Sequence, residues 1–522
     1  MAYDTPMTRW FNTAGPCNPA KHYTLSPTER LPQLERLIEQ ESYFVLHAPR
    51  QTGKTTAMLA LAERLTQSGR YSAIMVSAEV GAPYQSDIER AELDILSAWQ
   101  RAARSRLPAD LQPPDFATVG PGTRLAGALS EWAETSARPL VVFIDEVDAL
   151  KGDVLLSVLR QLRDGYPSRP ESFPQSLALV GMRDVRDYKV AAGGSDRLNT
   201  ASPFNIKVRS FTLRNFTHEE VKRLYAQHTE ETGQAFTDEA VERAFYLTQG
   251  QPWLVNALAK EAVEELVQSV AESVTLAHVE QAKKTLIDRQ DTHLDSLAER
   301  LREPRVQTVI EPMLSGGLLE NVAPDDVQYV LDLGLCRRDE QGGLVIANPI
   351  YQEIVPKNLA FSAIASLPAV TPTWLTEQGD LDIDQLLTSF LAFWRQHGQP
   401  MIATAPYHEI APHIVLMAFL HRVVNGGGLL TREYAIGSDR LDLLLQYEKT
   451  MLAIEMKGWR DGRSDPLKAG LAQLDKYLTG VGLTTGWLVI FDQRSGQPPI
   501  AERTNTERAV SPKNREIMVI RA

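Results

Sequence analysis

The chain has 522 residues, 43% apolar and 23% charged, with a net charge of −12 and only two cysteines, Cys17 and Cys336. This length excludes a single hydrophobic core, and two distant cysteines exclude a disulfide framework or a zinc set. The acidity excludes a general electrostatic pull on nucleic acid, and no apolar run, 413–424 included, is long and uninterrupted enough to span a bilayer as a helix.

In chain order, residues 1–30 read as an irregular arm rich in Pro, Thr and Asn. The first eleven residues lack a basic stretch followed by an apolar core, so no signal peptide is expected. A reduced cytoplasm is the expected compartment, with no membrane partner. Residues 31–212 alternate short apolar strands (43–48, 74–78, 140–144 and 177–181) with amphipathic stretches such as 56–68. Strand–helix alternation predicts an α/β domain with a parallel sheet. Residues 213–300 turn helical, with segments at 218–228, 238–247, 252–267 and 276–288. Residues 301–358 read as a winged-helix-like module: helices, a strand near 330–336, a charged turn at 337–343 and a strand at 344–348. Residues 359–380 read as a linker. A second α/β pattern fills 381–522. From 361 to 522 there are 16 Lys/Arg and 17 Asp/Glu, a net of −1, so −11 of the net −12 lies earlier. A polyanion meets least repulsion in this C-terminal part.

The first chemical motif runs from Ala48 through Pro49, Arg50, Gln51, Thr52, Gly53 and Lys54 to Thr55, between a predicted strand and the helix that Thr56 opens. This is the context of a Walker A loop. Its backbone N–H groups and helix N-terminus favour phosphate. Lys54 would contact the β/γ-phosphates of ATP, and Thr55 would ligate Mg²⁺. Ala48 replaces the usual first glycine and tolerates unusual φ less well. The strand 140–144 ends in Asp145 and Glu146, a Walker B pattern. Asp145 would hold Mg²⁺, and Glu146 would act as base toward the attacking water.

These residues, with Phe11 to Pro16, His22, Tyr23, and Gly250-Gln251-Pro252, resemble bacterial AAA-like ATPases related to the archaeal-type and STAND ATPases, over about residues 8–355. The resemblance implies a P-loop NTPase sheet with a helical lid, a segment near His22 to Arg30 touching adenine, and an ATP-dependent homo-oligomer. Gly250-Gln251-Pro252 also reads as a helix–helix turn with Pro at the first helical position. Arg183 is the one candidate sensor. Arg186, Arg197 and Arg209 are candidate arginine fingers, and the sequence does not choose among them.

The second constellation lies at 405–480. Strands at 441–446 and 451–457 flank a turn centred on Glu448 and Lys449. A tight turn sets Asp442 opposite Glu455, and Arg440 opposite Lys457. Leu441, Leu443 and Leu445 then share an apolar face with Leu452, Ile454 and Met456, and the other face carries Asp442, Glu455 and Lys457. Opposed carboxylates repel, and a divalent metal would relieve them. Removing one of the pair is therefore expected to stabilise the metal-free protein. The pattern resembles the PD-(D/E)XK nucleases, with Leu441 in place of the proline. That resemblance implies a restriction-endonuclease-like α/β domain that binds Mg²⁺ or Mn²⁺ and acts on nucleic acid, DNA first. It also implies supporting roles for Glu409, before the hairpin, and Gln473, on the following helix. The alternatives are a signalling switch whose C-terminal domain binds nucleic acid or protein without cutting, and a chaperone-like ATPase.

Overall fold

The computed structural model describes residues 9–116, 119–182, 206–289, 292–314, 322–355, 373–376, 379–404, 411–424, 428–436 and 439–522. The chain divides into two compact units, one of residues 1–293 with 329–337, the other of 294–328 with 338–522.

In the first unit, β1 (Tyr43–His47), β2 (Ser72–Ser77), β3 (Leu140–Asp145), β4 (Ser176–Gly181) and β5 (Lys207–Thr212) form a parallel sheet in the order β2-β3-β4-β1-β5. β1, β3 and β4 are buried along their whole length. That is why each reads as a continuous apolar run. Tyr43, Val45, Ile74, Val142 and Ile144 pack on one face with Trp99 and Trp132. Phe44, Leu46, Met75 and Phe143 pack on the other with Met58 and Leu61. β5 was not foreseen. Among the described residues it is an edge strand paired to β1 alone, and its Lys-Val-Arg-Ser-Phe-Thr sequence carries no apolar run.

The helices His218–Thr232, Asp238–Thr248, Pro252–Lys260 and Leu276–Arg289 follow. Thr217 and Glu220 close a capping box on the first, and Thr237 caps the second through Ala240 N. The segment read as one helix to 267 changes at 261, where Glu261–Leu266 widens into a π-helical turn. Helices Pro304–Leu314 and Pro324–Asp332 precede two short strands, β6 (Cys336–Arg338) and β7 (Leu344–Ile346). The strand expected at 330–336 therefore begins later. Val330 to Asp332 end a helix, because Tyr329 and Val330 bury one of its faces.

The second unit holds a mixed sheet of β8 (Gly428–Ile436), β9 (Asp439–Tyr447), β10 (Thr450–Trp459), β11 (Trp487–Asp492), β12 (Asn505–Val510) and β13 (Glu516–Arg521), in the order β12-β13-β11-β10-β9-β8. β8, β9 and β10 are an antiparallel meander, whereas β10 runs parallel to β11 and β11 to β13. The helices Ile383–Thr404 and Ala411–Val424 cover one face, where Phe390 and Phe419 meet Leu443, Leu445, Leu452, Ile454 and Met456. Trp374, within the segment read as a linker, is buried in that same core with Leu381, the first residue beyond it. The helix Leu467–Val481 covers the other face through Leu471, Leu474 and Leu478 against Leu444, Ala453 and Leu488. The face that carries Asp442, Glu455 and Lys457 is thus largely covered as well.

Candidate functional site

The loop after β1 turns through left-handed backbone at Gln51 (φ 58°) and Gly53 (φ 90°), and Gly53 caps the helix Lys54–Gln67. Ala48 is not strained in place of glycine, because the left-handed positions fall later in the loop. Lys54 Nζ donates to Ala48 O and Pro49 O, both at 2.8 Å. Desolvation lowers the pKa of this ammonium, opposed chiefly by Asp145. Thr55 Oγ1 donates to Asp145 Oδ2 at 2.9 Å, across 90 residues of sequence. A hydroxyl and a carboxylate so placed, beside the N-terminus of a helix, fit Mg²⁺ with a bound phosphate. Asp145 is buried, and desolvation raises its pKa, while Thr55 and the Glu146 N–H oppose the rise. Glu146 has a left-handed backbone (φ 58°). Desolvation first, then repulsion from Asp145 and Asp148, raises its pKa, as suits a group that accepts a proton near neutrality.

The remaining loop residues divide. Arg50 and Gln51 are exposed. Thr52 is buried, and its hydroxyl donates to Pro49 O at 2.9 Å. The Thr56 hydroxyl accepts from Cys17 N at 3.1 Å, so this side chain holds the N-terminal arm. Asp148 was missed in the sequence; its carboxylate accepts from Met182 N at 3.3 Å and lies near Lys54 and Glu146. Its spacing of three from Asp145 was the available signal. Arg183, Arg186 and Arg197 lie outside the described residues, and Arg209 stacks over the Phe211 ring at 5.3 Å. The Gly250 turn behaves as a helix–helix joint: Pro252 is in the first turn, Gln251 caps it through Leu254 N at 2.6 Å, and Gly250 has φ 70°. Residues 329–337 reach the loop too. A Cβ on Gly334 would lie 2.5 Å from Pro49 Cγ, and Asp332 Oδ1 is 3.9 Å from His47 Nδ1.

The second site forms where β9 and β10 diverge. Their ladder pairs Tyr447 with Thr450 and continues to Leu443 with Ile454, which is the register expected from the turn. Beyond it the Asp442 carboxylate, rather than a backbone carbonyl, accepts from Met456 N at 2.8 Å. Glu455 is completely buried. Lys457 Nζ donates to Glu455 Oε1 at 2.6 Å and to Gln473 Oε1 at 3.0 Å, and Gln473 Nε2 donates to Tyr477 OH at 2.8 Å. Burial, then repulsion from Asp442, pushes the Glu455 carboxyl up to about 8 against the pull of Lys457. Its Oε2 is buried without a hydrogen-bond partner among the described residues. A carboxyl so placed beside Asp442, with an oxygen left unfilled, can take a divalent cation by giving up its proton. Asp442, Glu455, Lys457 and Gln473 are thus brought together, and Tyr477 joins them. Glu409 lies outside the described residues, and no group of three or more His, Cys, Asp or Glu among the described residues is arranged to hold a metal.

No helix among the described residues is long and apolar enough to cross a membrane. Residues 37–188 match the AAA domain family model. No curated protein matches the chain. Among solved structures, a Walker-type ATPase of Pyrococcus abyssi is 13% identical, with 66% of this chain and 99% of that one covered and a TM-score of 0.48. The RuvB Holliday junction branch migration motor of Thermotoga maritima is 16% identical, with 63% and 93% covered and a TM-score of 0.35. The ORC2 protein of Aeropyrum pernix is 15% identical, with 65% and 94% covered and a TM-score of 0.39. The family match spans the loop from Ala48 to Thr55 and the strand that ends at Asp145, so the chain carries an AAA-type P-loop ATPase domain.

Proposed function

We propose that this ATPase governs a metal-dependent nuclease-like domain in its C-terminal part. One observation carries the reading: the buried Glu455, with an unfilled carboxylate oxygen, shares its surroundings with Asp442, Lys457 and Gln473. A buried carboxylate without full compensation is costly, and such cost is characteristic of functional sites. Asp442 and Glu455 would hold Mg²⁺ or Mn²⁺, which would supply a polarised water and neutralise charge on a phosphodiester. Lys457 would stabilise the anionic phosphate, with Gln473 positioning its ammonium. The substrate class is nucleic acid, with DNA preferred. Tests on purified protein should use plasmid and RNA substrates, with and without ATP and Mn²⁺. Cleavage that needs Mn²⁺ and disappears in Asp442→Asn supports the reading. Absence of cleavage on either substrate under every condition removes it.

In the ATPase unit, Lys54, Thr55 and Asp145 would bind MgATP, and Glu146 would accept the proton of the attacking water. The ATP-dependent homo-oligomer belongs to the same proposal. Contacts of residues 329–337 with Pro49 and His47 support a link between nucleotide state and the chain beyond the lid.

A second reading has its own support. Lys457 already neutralises Glu455 at 2.6 Å, so the site is partly satisfied without a cation. On that reading the domain binds nucleic acid or protein without cutting. Calorimetry with Mn²⁺ separates the two, because only the nuclease requires the ion at Asp442 and Glu455.

A further inference from the structure

Arg30 stands behind the phosphate-binding loop. It is 9% exposed, and its two terminal nitrogens reach different segments: Nη2 donates to Thr52 O at 2.9 Å, and Nη1 to Arg214 O at 2.8 Å. The guanidinium carbon lies 4.9 Å from the centre of the Phe216 ring. A Cβ on Gly53 would come within 3.1 Å of Nη2, so glycine there admits the close approach.

The geometry has a consequence at the next amide. In a trans peptide the C=O and N–H point in opposite directions. A Thr52 carbonyl held toward Arg30 therefore turns the Gly53 N–H away from Arg30. That is the side on which a Walker loop gathers its N–H groups around phosphate. Gly53 has φ 90°, a conformation glycine leaves easily unless something holds it. The same guanidinium grips the strand-to-lid connection, where Leu213 N donates to His47 O at 3.1 Å and Phe216 N to Gly250 O at 2.8 Å.

We propose that Arg30 is a positioning residue for nucleotide binding: its fork fixes the Thr52–Gly53 peptide with the N–H toward the phosphates, and ties that peptide to the chain leading into the lid. Arg30 acts through the loop, since its hydrogen bonds go to protein carbonyls. A lysine keeps the charge but cannot span two carbonyls with a rigid fork.

The test uses the full chain with Arg30→Lys and Arg30→Ala. Arg30→Lys should melt within a few degrees of the unaltered protein, yet bind ATP at least tenfold more weakly. Hydrogen exchange at the Gly53 and Lys54 amides should quicken in the same variant. Millimolar guanidinium should restore part of the ATP binding of Arg30→Ala and none of that of Lys54→Ala. Adenosine affinity should be unchanged in Arg30→Lys. ATP binding within twofold of the unaltered protein in a folded Arg30→Lys would overturn the proposal. An equal loss of adenosine affinity would also overturn it, by placing Arg30 at the base. If Arg30→Ala does not fold, Arg30→Lys decides alone.

Discussion

His293 lies buried against the Trp253 ring, with centroids 4.9 Å apart and planes 27° from parallel. Burial lowers its pKa to about 4 from an ordinary 6.5. Between these values the unfolded chain binds a proton that the folded chain refuses. Stability is therefore full above about 6.5 and falls as the pH drops toward 4, by roughly 3 kcal/mol from this group. His293→Phe keeps a ring on Trp253 and should flatten that part of the melting-temperature profile. An identical profile for both proteins would exclude the effect. Lys54 and Glu146 are separable in the same residue-by-residue manner. Lys54→Ala should abolish ATP binding without unfolding, as read by labelled nucleotide and by circular dichroism. Glu146→Gln should keep ATP and lose hydrolysis by about a hundredfold or more, the usual worth of a positioned base.

Elements set tighter limits than residues do. Gly250 joins two lid helices, and a Cβ there would sit 1.9 Å from Phe216 O. Its backbone is also left-handed, so Gly250→Ala adds a clash to strain and should cost about 2–4 kcal/mol. Chemical denaturation measures this directly. In the β9–β10 hairpin the expected gain from removing a repulsive carboxylate has to be revised for Asp442. Its carboxylate is the acceptor for Met456 N, so Asp442→Ala should cost about 1–3 kcal/mol by leaving a donor unmatched. Asp442→Asn keeps an acceptor and should leave the melting temperature nearly unchanged. The gain belongs instead to Glu455→Gln, which removes a buried acid that Asp442 repels and whose Oε2 has no hydrogen-bond partner among the described residues. Higher stability of Glu455→Gln than of the unaltered protein in EDTA is the expected result.

Across the whole molecule the two sites fall in different units, so each should still bind its own ligand when the other is disabled. Lys54→Ala should lose ATP and retain Mn²⁺ binding, and Asp442→Asn should do the reverse, each followed by calorimetry. Light scattering with a non-hydrolysable ATP analogue should show a larger assembly than without nucleotide. A monomer under both conditions would remove the homo-oligomer from the proposal.

The sequence by itself determined the parts that depend on local repetition. Strands buried on both faces read as apolar runs, which made β1, β3 and β4 legible along with the loop after β1 and Asp145 at the end of β3. A period of two fixed the β9–β10 register, since a slip of one residue would move Leu443 and Leu445 out of the core. Only the tertiary structure decided what covers each element. It buried Glu455 beneath the helix Leu467–Val481, drew Trp374 into the C-terminal core, and made an edge strand of Lys207–Thr212. It also set Arg30 against Thr52 and Arg214, and Asp332 near His47. These contacts join segments 22 to 285 residues apart. No periodicity carries such distances, because burial and charge pairing depend on which surfaces meet once the chain has closed.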